Sequence, residues 1–200
     1  NNKSYNGLRN WYYNIEDWIP PKGIDDYFDK INNFKDGFIL FHFDQKWFHK
    51  NYISAYTNIK PSQSELFSFL NLIVNKTNKN VVVTAGLDDS MSETGKILVN
   101  LANGWYTGNP EVDNAHNKII ILPLFLTFLD IESLIDKSQL LISCHGAVSH
   151  VAAAKNIKQI DIIEESKANF YMKWTHHFRN YNYVYRKNFN ELSKDILNLL

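Results

Sequence analysis

The 200-residue chain carries 21 basic and 21 acidic side chains, so its formal net charge is zero. Local clusters aside, that balance excludes a general nucleic-acid or membrane-surface binder built on one large basic face. Hydrophobic residues at 44% and charged residues at 21% give a globular composition, neither disordered nor fibrous. A chain of this length suits one domain and buries roughly 70% of its unfolded surface, so neither disulfide nor metal staples are required.

The single cysteine, Cys144, excludes an intramolecular disulfide and a multi-cysteine zinc site, and fits a reducing compartment. No apolar run is long enough to cross a bilayer; the longest, Ile119 to Leu129, is interrupted by Pro123. The N-terminus has neither an initiator Met nor a signal-peptide layout, and the expectation is a piece of a longer protein. Asn and Lys are abundant, whereas the only arginines are Arg9, Arg179 and Arg186, a skew that points to genome composition rather than function.

In chain order, residues 1–35 are aromatic, polar and irregular, with Trp11, Tyr12, Tyr13 and Trp18 and with breaks at Pro20-Pro21 and Gly23. They read as a linker or extension before a domain over 36–200. The run Gly37 to Phe43 predicts a buried strand. Pro61 and Ser62 open a helix with Leu66, Phe69, Leu70 and Ile73 near a 3.6 period. Asn80 to Thr84 is a second strand, ending at Ala85-Gly86. Ser92 to Asn103 predicts a helix with Ile97, Leu98 and Leu101 inward. Lys118 to Leu122 is a third strand, and Thr127 or Asp130 caps a helix through Leu134 and Ile135. Gln139 to Ser143 and Lys158 to Ile163 are further strands, flanking a small-residue helix from Val148 to Lys155. Phe189 to Leu200 closes the chain as an amphipathic helix.

Short continuous apolar strands alternating with helical stretches predict βαβ units and a three-layer, Rossmann-like α/β fold with a mostly parallel sheet. Ligands of open α/β sheets sit beyond the carboxyl ends of the strands, which directs attention to the residues after each strand. The segment Ser143-Cys-His-Gly-Ala-Val-Ser-His-Val-Ala-Ala-Ala154 is the most informative. A strand ends, Gly146 and Ala147 turn the chain, and the first amides of a helix from Val148 and Ser149 are available to an anion such as a diphosphate. His145 and His150 could add hydrogen bonds or positive charge. The small residues serve equally well for tight packing of the helix on the sheet. As a metal pair the histidines are weak, because no nearby acid completes a shell.

Other candidates follow the same rule. Lys46 could neutralise a phosphate, or simply be a solvated loop lysine. His42 and Asp44 bracket Phe43 and share one side of the strand. Gly86 turns the chain after the second strand. Glu164 and Glu165 could bind ribose or sugar hydroxyls, or stand as acids at a helix start. Asp88 and Asp89 read as turn and cap residues, and Cys144 as packing. His176, His177 and Arg179 could reach a phosphate, or belong to an aromatic surface or a domain contact.

A turn, a histidine, one aliphatic residue and three alanines resemble the donor-binding segment of family 9 glycosyltransferases, the lipopolysaccharide heptosyltransferase type. That pattern is Asp-Ser-Gly-Pro-Met-His followed by Leu-Ala-Ala-Ala. His150 falls on its histidine, Val151-Ala-Ala-Ala154 on its helix, Ala147 on its glycine and Gly146 on its serine. His145 replaces the aspartate and Val148 the proline. Ile131 to Ser143 is similar to the approach to this turn, Phe38 to Trp47 to the opening strand of the C-terminal half with Lys46-Trp47 on a Lys-Arg-Trp that lacks its arginine, and Val81 to Gly86 to the next strand. The His-Gly-Ala triplet is similar to one in other GT-B enzymes. The likeness runs in order over roughly 37–165.

This resemblance implies the C-terminal, donor-binding half of a GT-B glycosyltransferase that builds a bacterial surface glycan, lipopolysaccharide or capsule. It implies a nucleotide-sugar donor, a glycan or glycolipid acceptor held through a missing N-terminal domain, no metal and no other cofactor, and no nucleic-acid partner. A cytoplasmic location, including the inner face of the membrane, goes with it. The family's general base lies in the other half, so the catalytic residue is unknown here, with His145 a candidate stand-in. The alternative is a Rossmann-like module that binds a nucleotide or a protein without chemistry of its own.

Overall fold

The structure, a computed structural model, describes residues 31, 34, 36–48, 55–86, 97–98, 118–122 and 126–200. Its framework is six strands: β1 (Phe38–Phe43), β2 (Asn80–Ala85), β3 (Ile119–Leu122), β4 (Leu140–Cys144), β5 (Lys158–Ile163) and β6 (Tyr181–Tyr185). They form one sheet in the order β3-β2-β1-β4-β5-β6, with every neighbouring pair parallel. Parallel strands need crossovers, and helices supply them. The described α-helices are α1 (Gln63–Thr77), α2 (Phe128–Lys137), α3 (Ala147–Ala154), α4 (Ala168–Thr175) and α5 (Phe189–Leu199). The expected three-layer α/β architecture is therefore the observed one.

Two apolar clusters divide the strand residues by pleat. Ile39, Phe41 and Phe43 of β1 pack with Phe69 and Ile73 of α1 and Phe189, Leu192 and Ile196 of α5. Phe38 and Leu40 face the other way, towards Ile131, Leu134 and Ile135 of α2 and Val148 and Ala152 of α3. Burial on both faces is why these strands read as unbroken hydrophobic runs. Trp47 is fully buried, rests against Phe41 and Phe43, and donates its indole N–H to the His42 carbonyl at 3.2 Å.

Local signals set the helix ends. Ser62 caps α1 reciprocally with Glu65, and Thr127 caps α2 reciprocally with Asp130. The two residues proposed for the α2 cap thus act together. After α1, Asn78 takes a left-handed conformation at φ 56° that closes the helix. Ile97 and Leu98 are helical, and Leu98 is buried as expected; the rest of that predicted helix lies outside the described residues. So do residues 1–30, most of the proposed extension. The sequence reading missed two elements, α4 and β6, which together complete the edge of the sheet.

Candidate functional site

Strand order reverses direction between β1 and β4, where chain connections leave on opposite sides; this is the crevice in which open α/β sheets bind ligands. After β1, Asp44 caps a short 3-10 turn (Gln45–Trp47), accepting from the Lys46 amide at 3.1 Å. The Lys46 ammonium returns to Asp44 Oδ2 at 2.5 Å. After β4, Gly146 starts α3, and a Cβ placed on it would lie 2.7 Å from Lys46 Nζ. Lys46 therefore lies directly against the N-terminus of α3. The first amides of that helix, those of Ala147 and Val148, have no acceptor within the helix. A cation and free N–H donors converge at one point, which suits an oxyanion.

A cavity of about 100 Å³ opens here, lined by His42, Asp44, Gln45, Lys46, Ala147 and Val148 among others. It is well below the roughly 300–1,000 Å³ of complete small-molecule sites, so its room is that of a phosphate-sized group rather than a whole ligand. Gly86 forms another wall; a Cβ there would meet Gln45 Oε1 at 2.7 Å and Asp44 Cβ at 2.9 Å. His42, buried beneath, shares a hydrogen bond with Thr84 Oγ1 at 2.9 Å, and its Nε2 lies 3.7 Å from Asp44. Burial pushes His42 from 6.5 down to about 4, only partly opposed by Asp44, so the ring is neutral at ordinary pH.

His145, Ser149 and His150 form a second group. Asp161, fully buried in β5, accepts from His145 Nδ1 at 2.5 Å, Ser149 Oγ at 2.8 Å and Tyr181 OH at 3.2 Å. Ser149 Oγ in turn accepts the Gly146 amide at 3.2 Å. His150 is exposed, with its ring 5.5 Å from that of His145 and 5.2 Å from Phe178. Partial desolvation, helped by the nearby His145, holds His150 below the ordinary histidine value. Asp161 escaped the sequence reading, although one signal existed: an acid in the middle of the apolar strand Lys158 to Ile163.

The register ties these groups together. Thr84, His42, Ser143, Asp161 and Tyr183 are successive partners across β2, β1, β4, β5 and β6. A row of polar side chains thus crosses the sheet just below its carboxyl edge, and Ser143 Oγ in that row is buried without a hydrogen-bond partner.

The remaining candidates are employed elsewhere. Glu164 accepts from the Thr57 amide at 2.8 Å and hydroxyl at 3.2 Å, with Arg186 Nε at 3.9 Å. Glu165 is exposed at the start of a 3-10 turn. Arg186, also missed, is buried and donates to the carbonyls of Thr57 and Lys46 at 3.0 and 2.7 Å and to Cys144 Sγ at 3.5 Å. Burial pushes the Cys144 thiol up to about 12, so it is an inert packing group. His176, His177 and Arg179 are exposed beyond α4; Asp88 and Asp89 lie outside the described residues. Among the described residues no group of three His, Cys, Asp or Glu converges on a metal position, and no helix is long and apolar enough to cross a membrane.

No protein-family model matches the sequence, and no curated protein matches it. Solved structures do share its fold. Escherichia coli ADP-heptose lipopolysaccharide heptosyltransferase II aligns with a TM-score of 0.52 and 17% identity over 90% of this chain and 50% of its own. The UDP-GlcNAc 2-epimerase of Methanocaldococcus jannaschii aligns at 0.51 and 13% over 90% of this chain and 43% of that one. A structure of that epimerase with UDP-GlcNAc and UDP aligns at 0.50 over 88% and 41%. The fold is that of one GT-B domain. The chain spans about half the length of the proteins it matches.

Proposed function

We propose that the chain is the donor-binding, C-terminal half of a GT-B glycosyltransferase that takes its sugar from a nucleotide-diphosphate donor. The observation that carries this reading is the meeting of Lys46 with the N-terminus of α3 at the strand-order reversal. The two enzymes with the same fold act on ADP-heptose and UDP-GlcNAc, which supports a nucleotide-diphosphate sugar and leaves the base open. The resemblance of the His145 to Ala154 segment to family 9 favours transfer to a lipopolysaccharide or capsule acceptor.

In this reading the sugar–phosphate C–O bond breaks, and the diphosphate departs carrying the negative charge. The acceptor hydroxyl forms the new bond and gives its proton to a base contributed by the other half, or to His145. Lys46 and the amides of Ala147 and Val148 are preorganised where that charge develops, a role a divalent metal fills in other designs. Gly146 keeps the backbone open to the phosphate. His150, beside His145, is the candidate contact to the donor.

A thermal-shift panel of UDP, GDP, ADP and CMP with their sugars tests the reading, because a ligand bound to the folded state raises the melting temperature. One nucleotide class stabilises the wild type, and Lys46→Met and His150→Ala each reduce the shift. A shift retained in full by both variants places the ligand elsewhere and overturns the assignment.

A further inference from the structure

The outer face of α4 carries a second kind of chemistry, away from the crevice. Phe170 is 58% exposed and Trp174 56%, with ring centroids 6.3 Å apart. Met172 is also exposed at 41%. Isolated apolar residues on a surface are ordinary, but two neighbouring aromatics exposed by more than half are not. Lys167, Phe170, Lys173 and Trp174 recur at helical spacings of three and four and share one face, while Tyr171 and Thr175 on the other side are buried. From Ser166 to Lys187 the chain has no Asp or Glu, whereas Lys167, Lys173, Arg179, Arg186 and Lys187 are cationic. Only Arg186 among these is buried. Arg186 is turned to the interior and the Lys187 ammonium is held by Asp195 at 2.7 Å, so in a chain of zero net charge Lys167, Lys173 and Arg179 are the exposed cations that accompany the apolar tip. Of the two preceding carboxylates, Glu164 is held by Thr57, and Glu165 stands exposed in the turn before α4 as the one acid next to this face.

We propose that this face of α4 docks on the surface of a bilayer bearing anionic headgroups, with Phe170 and Trp174 in the interfacial layer and Lys167, Lys173 and Arg179 against the headgroups. Aromatic rings partition to that layer, and cations beside them are attracted by the negative surface potential. A single-stranded nucleic acid would also accept stacking and positive charge, but it is bound in grooves, and these rings stand on the convex side of a helix. The docking is independent of the donor site. The face of α4 turned towards the crevice is the buried one, where the Tyr171 ring lies 4.7 Å from His145.

Vesicle co-sedimentation of the full chain tests it, with phosphatidylcholine alone and phosphatidylcholine mixed with phosphatidylglycerol. The wild type sediments with the mixed vesicles, less so as salt is raised. Lys167→Gln with Lys173→Gln weakens binding about 30-fold, taking about 1 kcal/mol per cation. Phe170→Ser with Trp174→Ser, both at exposed positions, also lowers binding while leaving the melting temperature unchanged. Absence of wild-type binding to the mixed vesicles overturns the proposal. So does equal binding by either double variant, or a preference for single-stranded RNA over vesicles. A dimer in light scattering that the serine variant dissociates, without vesicle binding, assigns the face to a second copy and also overturns it. The nucleotide panel reads the donor site separately, so failure of one leaves the other standing.

Discussion

Asp161 Oδ2 lies 2.5 Å from His145 Nδ1, and the carboxylate that makes this contact is wholly buried in β5. Both Asp161 oxygens act as acceptors, from Ser149 and Tyr181, so the network assigns His145 as the donor through Nδ1, which fixes the ring and leaves Nε2 as its second functional nitrogen. The same carboxylate receives Ser149 and Tyr181, and Ser149 receives the Gly146 amide, so one side chain orders the whole β4–α3 turn. Asp161→Asn keeps the shape but replaces one acceptor with a donor facing other donors. It is expected to cost about 2–3 kcal/mol, the scale of losing a charge-assisted hydrogen bond in a buried site. Urea unfolding measures the loss, and an unchanged midpoint would remove Asp161 as the organiser of the turn.

Acid should expose the burial of His42. Its folded value of about 4 lies below its ordinary 6.5, so folding favours the neutral ring. That contribution is complete above about 6.5 and is lost as the pH falls, reaching about 3 kcal/mol near pH 4 at about 1.4 kcal/mol per unit. His150 shifts in the same direction, so the comparison is between wild type and His42→Asn in a pH series of urea unfolding. The variant should show the shallower decline; parallel curves would mean that another group drives it.

How much of this was readable from the residues alone depended on burial. The strands β1 to β5 are enclosed on both faces, and their continuous Val, Ile, Leu and Phe runs announce them. β6 is an edge strand whose Tyr-Asn-Tyr-Val-Tyr pattern has only Val184 buried, so nothing in it resembles a parallel-sheet core. α4 is too short to establish a period and exposes the aromatics that usually mark an inner face. At the site, the rule that ligands lie at strand ends selected Lys46, Gly86 and the turn at Gly146, which the fold brings together. It could not find Asp161 or Arg186, because their importance comes from partners 12 to 140 residues away in sequence. Nor could it distinguish Glu164 as a ligand contact from Glu164 as the anchor of Thr57.

Lys46 and Gly146 should separate binding from stability. A Cβ on Gly146 meets only the flexible end of Lys46, so Gly146→Ala costs less than about 1 kcal/mol of stability. It displaces the ammonium from the helix terminus, however, and nucleotide-diphosphate affinity should fall about tenfold, roughly the 1.4 kcal/mol of one charge-assisted contact. Lys46→Met should do the same for nucleoside diphosphates while leaving the binding of the free nucleoside unchanged. Calorimetric titration with both ligand types checks this, and an equal loss for the nucleoside would remove the phosphate from Lys46.

Arg186 joins parts of the chain that lie far apart in sequence. Its guanidinium reaches the carbonyls of Lys46 and Thr57, the Cys144 sulfur and, at 3.9 Å, Glu164. Through the Lys46 carbonyl it fixes the backbone of the turn that carries the crevice cation. Lysine at this position keeps the charge but loses the planar fork that serves several acceptors at once. Arg186→Lys is therefore expected to destabilise by about 2–3 kcal/mol, since buried acceptors are left unmet. It should also speed alkylation of Cys144, whose thiol is protected by burial in the intact network. Iodoacetamide labelling under native conditions, run beside thermal unfolding, reads both effects. A destabilised variant whose Cys144 stayed as slow as wild type would show that the network around the sulfur survives without the guanidinium.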